Sequence, residues 1–126
     1  MTENPLTAQH LGTMVDWRAL ETQFKGKTRF VTGLAEKALK QYRASAEQLR
    51  AMAAGTGDYP DISFLAHSIK GTAGTLKAGV VFAQAAETDL AARAARPESR
   101  SMAGDLAELL EILMLELEER IRNQPA

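Results

Sequence analysis

Cysteine is absent from this chain, which excludes disulfides, thiolate metal ligands and a cysteine nucleophile. Aromatic residues are scarce, at 6%, and no run of alternating β-branched residues occurs, so there is little from which to build a sheet. No stretch approaches the roughly 18 uncharged apolar residues that a membrane span needs. Met1 to Gly12 lacks a basic start followed by an apolar run, so no signal peptide is expected there. Neither sign of charge is in excess. Fifteen Lys and Arg stand against 16 Asp and Glu, a formal net charge of −1. That balance supplies no field to draw the chain to nucleic acid or to an anionic membrane. The expected location is the cytoplasm, with neither nucleic acid nor membrane as a partner.

What is present favours helix. The chain has 126 residues, 45% of them hydrophobic and 25% charged, which suits one globular domain able to bury its own core. Ala, Leu, Glu, Arg and Lys dominate, all good helix formers. Met1 to Met14 reads as a loose lead-in, and residues 15–126 as the folded domain. Asp16 is placed to cap a short helix from Trp17 to about Lys25. A second helix is predicted from about Thr28 to Ala54, ended by the turn residues Gly55 to Pro60. A third runs from about Asp61 to Leu76. The fourth, about Gly79 to Ala95, is so rich in Ala that it should pack closely inside the assembly. After the break at Arg96–Ser99, with Ser99 a candidate cap, the last helix spans about Arg100 to Arg122. Its stripe of Met102, Leu106, Leu109, Leu110, Leu113, Leu117 and Ile121 is the clearest amphipathic signal in the chain. Four long helices and a short one, joined by short loops, predict an all-α, up-down four-helix bundle with a short additional N-terminal helix.

The third helix carries the chemistry. Ile62, Leu65, Ala66, Ile69, Ala73 and Leu76 form one apolar stripe. His67 lies roughly 160° from the centre of that stripe at 100° per residue, so it should point to solvent. Phe64, Lys70, Gly71 and Gly74 share its outward face at spacings of three, four and seven. A glycine inside a helix costs about 0.8–1.0 kcal/mol relative to Ala, and Ala is plentiful in this chain. Two glycines beside an exposed imidazole therefore read as a cleared landing surface for another protein. Phe64 would supply an apolar contact at its edge and Lys70 a positive charge. An imidazole with an ordinary pKa of about 6.5 is mostly neutral and nucleophilic at pH 7. It can attack an acyl phosphate and hold the phosphoryl group as a reactive phosphoramidate. Such a transfer asks for in-line approach and for stabilisation of the equatorial oxygens, to which Lys70 would contribute.

The segment Leu65-Ala66-His67-Ser68-Ile69-Lys70-Gly71-Thr72-Ala73-Gly74-Thr75-Leu76 resembles the core motif of histidine-containing phosphotransfer (HPt) domains, four-helix bundles of two-component phosphorelays. The resemblance implies that His67 is the phosphoacceptor, that Lys70 assists the phosphoryl group, and that Gly71 leaves room for the active-site loops of a receiver domain. Gly74 matches a position often small in that family. Lys77 departs from the pattern, which often has Gly there. The implied activity is a shuttle: phosphoaspartate on one response-regulator receiver domain to His67, then to an aspartate on another receiver, downstream of a hybrid sensor histidine kinase. Such a carrier has no ATP site and no cofactor of its own, the Mg²⁺ belonging to the receiver.

Other chemistry finds less support. His10 and His67 are the only histidines; they sit far apart in sequence, with no carboxylate at helical ligand spacing around His67, so no metal site is expected. Gly71 to Lys77 lacks the Gly-Lys-Ser/Thr order of a phosphate loop. Ser68 adjoins His67 in sequence, but neighbouring helical residues do not face each other, so a hydrolase arrangement is unsupported. A kinase-type histidine helix would have an acidic residue where Ser68 stands and Pro where Thr72 stands. Glu87 and Asp89 read as a solvated face, as does the run Glu116, Glu118, Glu119, Arg120 and Arg122. The competing function is a helical bundle that only binds proteins. The expected state is a free-standing monomer.

Overall fold

A computed structural model describes residues 13–123. They form five helices: α1 Trp17–Gln23, α2 Thr28–Ala53, α3 Tyr59–Thr75, α4 Gly79–Arg93 and α5 Ser99–Arg122. Among the described residues there is no strand, and no helix is long and apolar enough to cross a membrane. Local chemistry explains most of the boundaries. Asp16 caps α1, its side chain accepting from the Ala19 N–H at 3.0 Å. Helix α3 begins at Tyr59, two residues before its expected start. Asp58 accepts from the Asp61 N–H while the Asp61 carboxylate accepts from the Asp58 N–H, a reciprocal capping box, and Pro60 fits in the first turn. Ser99, expected as a cap, is instead the first residue of α5. It is buried and its hydroxyl has no partner among the described residues.

The core is aliphatic, as the scarcity of aromatics requires. Leu20, Leu49, Ile62, Ile69, Leu106, Leu110, Leu113 and Leu117 are fully buried around Tyr42, each contributing roughly 1.5–3 kcal/mol of burial energy. Helices α2 and α5 run along each other in opposite directions, with Arg43 paired to Glu118 and Arg50 to Glu111 at the rim. Helices α3 and α4 meet through small residues, Ala66 and Ala73 facing inward on one and Ala85 and Ala92 on the other. They too are antiparallel, since Ser63 meets Asp89 and Gly74 meets Phe82. Arg100 ties the turn after α2 to α5, donating to the carbonyls of Met52, Thr56 and Gly57 with its guanidinium over the Tyr59 ring.

Two expectations are corrected near the chain's start. Of the proposed lead-in, residues 1–12 lie outside the described residues, but Met14 is buried in the core rather than loose. The reason is Glu116, which was expected on a solvated face. Its carboxylate accepts from the backbone N–H groups of Met14 and Val15 and from the indole N–H of Trp17, the chain's only tryptophan. Arg120 lies over the same indole at 4.6 Å and pairs with Glu21. Glu118, from the same acidic run, bonds Arg43 across the helix interface. Hydrogen bonds to a charged group are worth about 1.5–3 kcal/mol, and orphaned donors add a penalty. Glu116→Ala should therefore lower stability by about 3 kcal/mol and shift Trp17 emission to the red. Urea denaturation followed by fluorescence measures both, and an unchanged midpoint would show that the clasp carries no load.

The end of α3 explains the departure at Lys77. Leu76 caps the helix, and the Ala78 N–H reaches back to the Ala73 carbonyl at 2.9 Å. That closure places Lys77 in the left-handed region, at φ 61°, where glycine is unstrained. The Lys77 carbonyl accepts from the Asp16 N–H, a bond that any residue retains. Lys77→Gly should stabilise the fold by about 0.5–1 kcal/mol, after allowing for the extra freedom glycine has when unfolded. A thermal midpoint about 2–4 °C higher is the expected readout.

Candidate functional site

Helix α3 buries Ile62, Leu65, Ala66, Ile69 and Ala73, with Leu76 just past its end, and turns its other side outward. Tyr42 from α2 bonds the Thr72 hydroxyl at 2.8 Å, which fixes the helix's rotation. His67 follows from that rotation: its side chain is 67% exposed. Phe64, one turn earlier, is 79% exposed, an unusual position for a phenylalanine. Lys70 is half-buried on the same helix. Gly71 is exposed, and a Cβ built there would meet no neighbouring side chain or helix within 4 Å among the described residues. The surface beside the imidazole is bare for want of a side chain, not because another helix fills it.

Gly74 is different. It is half-buried, and a Cβ there would lie 3.4 Å from two ring carbons of Phe82 on α4. Its small size serves the contact between α3 and α4, so the outward placement read from the helical wheel is corrected for this residue. Phe82 itself is 42% exposed and continues the apolar surface beyond Gly74.

The largest correction concerns Asp89, expected on a solvated face. Its side chain is only 2% exposed, and its Oδ2 lies 3.5 Å from Nδ1 of His67. Arg93, one turn further along α4, donates to both carboxylate oxygens at 3.1 and 2.7 Å, and the Ser63 hydroxyl donates at 2.6 Å. The Arg93 guanidinium, helped by Ser63 and the nearby imidazole, outweighs burial and holds the Asp89 carboxyl down at about 2. At neutral pH the group is an anion. Glu87, by contrast, is exposed as expected. At 3.5 Å the contact between His67 and Asp89 is an ion-pair distance, longer than a formed hydrogen bond. Such contacts often shorten only when the reacting partner arrives.

A groove runs beside the imidazole, lined by Tyr59, Pro60 and Phe64 on one side and Ala92 and Arg93 on the other. Chemically, the site offers one nucleophilic nitrogen on an open surface, a lysine one turn away, and a fixed carboxylate behind the ring. Ser63, Asp89 and Arg93 were not found from the sequence. One signal was there: Asp89 follows Ala85 by four, on the same stripe as the buried Val81, Ala85, Thr88 and Ala92. A carboxylate on an apolar stripe, four residues before an arginine, marks a buried pair. No family model, no curated protein and no solved structure matches this chain.

Proposed function

We propose that this chain is a phosphorelay carrier of the HPt kind, which accepts a phosphoryl group on His67 from phosphoaspartate of a receiver domain and passes it to an aspartate of another. In this reading α2 to α5 are the up-down four-helix bundle and α1 its short extra helix. The observation that carries the proposal is the exposed His67 imidazole beside the empty surface at Gly71. An exposed histidine alone is commonplace. One flanked by a bare helical patch, an outward phenylalanine and a buried carboxylate is built for a visiting protein.

The chemistry needs little from this chain. The attacking nitrogen, phosphorus and leaving oxygen must come into line, and negative charge must be balanced as it shifts. The receiver supplies the acidic site and its Mg²⁺. Lys70, one turn along the same helix, would assist the phosphoryl oxygens by charge-assisted hydrogen bonds. Phe64 and Gly71 provide the docking surface. The carrier needs no nucleotide site, because the energy of the acyl phosphate drives the first transfer.

The test is incubation of the protein with a panel of phosphorylated receiver domains and Mg²⁺. Label that moves to this chain and is acid-labile but base-stable is the expected result. A complete panel that leaves the chain unlabelled would refute the proposal.

A further inference from the structure

We propose that the turn between α1 and α2, together with the outward face of the first half of α2, is a contact surface for anionic phospholipid membranes. Phe30 enters the headgroup region, and Lys25, Lys27, Arg29, Lys37 and Lys40 meet the lipid charges. Such a contact is independent of phosphotransfer at His67. It replaces the expectation, drawn from net charge alone, that no membrane is a partner.

A formal net charge of −1 hides how the charges are distributed. Among the described residues, Arg43, Arg50, Arg93, Arg96 and Arg120 each pair with a carboxylate, and Arg100 is held by backbone carbonyls. None of the lysines has such a partner there, and neither does Arg29. From Phe24 to Tyr42 the chain carries five cations, Lys25, Lys27, Arg29, Lys37 and Lys40, against one acid, Glu36. The chain is neutral on average and locally basic at this end.

The fold gains nothing from these cations. Positive charge at a helix N-terminus opposes the helix dipole. Yet Lys27 stands at the N-cap of α2 without a side-chain capping bond, and the first turn, which includes Arg29, has no acidic residue. Lys25 adopts the left-handed region at φ 55°, next to Gly26 at 74°, a conformation that glycine takes without strain. Phe30 follows directly and is 49% exposed. Its ring lies 4.6 Å from that of Phe24, which packs against the core. Phe30 is thus braced outward, with its inner side already filled.

The shape of this surface suits a plane. Arg29, Phe30, Gly33, Lys37 and Lys40 are all exposed, and at 3.6 residues per turn they fall within an arc of roughly 100° on α2. Gly33 lies inside that arc, and a Cβ there would meet no neighbouring side chain or helix within 4 Å among the described residues. The helix backbone can therefore approach a flat partner closely. A convex helix face with a single ring suits a lipid surface better than a nucleic-acid strand, which asks for a groove and stacked aromatics. Glu36 borders the arc and is the one charge that opposes the contact.

Each Lys or Arg close to an anionic leaflet strengthens binding by roughly fivefold. One aromatic and no lipid anchor make the contact reversible. Lys37 shares a small groove with Thr72 and Thr75 of α3. His67 lies about two turns further along α3, roughly 12 Å from Thr75 along the axis. A membrane on α2 leaves the imidazole open to a partner.

The experiment is co-sedimentation of the intact protein with vesicles of phosphatidylcholine alone or of phosphatidylcholine mixed with phosphatidylserine. The protein should pellet with the mixed vesicles at low ionic strength and stay in solution with phosphatidylcholine alone. Salt at about 1 M, where the Debye length is about 3 Å, should release it. Lys25→Ala combined with Lys27→Ala should weaken binding by about twenty-fivefold. Phe30→Ala should weaken it on the order of tenfold, from partial burial of the ring. Circular dichroism checks that each variant is folded, and should one fail, the lipid and salt dependence of the wild type still decides. No binding to the mixed vesicles, equal binding to phosphatidylcholine alone, or undiminished binding by the folded double variant would overturn the proposal. Retention by a single-stranded oligonucleotide in the absence of vesicle binding would overturn it in favour of nucleic acid.

Discussion

His67→Gln is expected to abolish labelling by every phosphorylated receiver that labels the wild type, with no change in helicity or thermal midpoint. The side chain is mostly exposed, and its contact with Asp89 is one that Arg93 and Ser63 would continue to satisfy, so its replacement should alter stability by less than about 0.5 kcal/mol. Glutamine preserves a polar side chain of similar reach but has no nucleophilic nitrogen. Circular dichroism and the labelling reaction, run on one preparation, separate loss of chemistry from loss of fold. Label retained on His67→Gln would place the acceptor elsewhere in the chain.

Gly71→Arg should slow exchange with receiver domains by about 10²-fold, the order expected when reacting groups are held even an ångström from alignment. Among the described residues, nothing beyond the helix's own backbone lies within 4 Å of a Cβ at this position, so the added side chain would project into the space proposed for the partner and leave the core untouched. Arginine also forms helix better than glycine, by up to about 0.8 kcal/mol, so the variant should be at least as stable as the wild type. Two controls make the result specific. Gly71→Ala should transfer at close to the wild-type rate, because one methyl group barely alters the surface. Phosphoramidate, a donor too small to need the docking surface, should label Gly71→Arg as fast as the wild type. If Gly71→Arg exchanges with receivers normally, the bare patch is not where the partner sits.

The sequence exposed some parts of this molecule better than others, for physical reasons. Helical periodicity averages over many residues, so the long helices and the outward position of His67 were legible. Caps depend on one or two side chains. Asp16 was read correctly, whereas Ser99 lost its expected capping role to burial within the first turn of α5. Lys77 occupies a left-handed position that only the closing bonds at the end of α3 reveal. Contacts between helices were hardest to see. Gly74 looked outward on the wheel of its own helix, but Phe82 reaches it from the next. Glu116 and Asp89 looked like surface charges because Met14 to Trp17 in one case, and Ser63 and His67 in the other, lie far away in sequence. Each was a charge on a stripe that burial later explained.

Asp89 changes how the site is understood. From sequence, the chemistry rested on Lys70 and on whatever the partner supplied. The fold adds a carboxylate anchored by Arg93 and Ser63 behind the ring. Under the proposed function, charge neutralisation at phosphorus would fall largely to the receiver. That division fits an exposed histidine, since a water-accessible surface cannot hold a strong electrostatic clamp by itself.

The most direct test of the central claim is to locate the phosphorus. The ¹⁵N-labelled protein, phosphorylated by a receiver domain and kept at neutral or mildly basic pH, is examined by ³¹P–¹⁵N correlation NMR. The account predicts a phosphorus bonded to a ring nitrogen of His67. Phosphorus bonded to any other residue of the chain would contradict it.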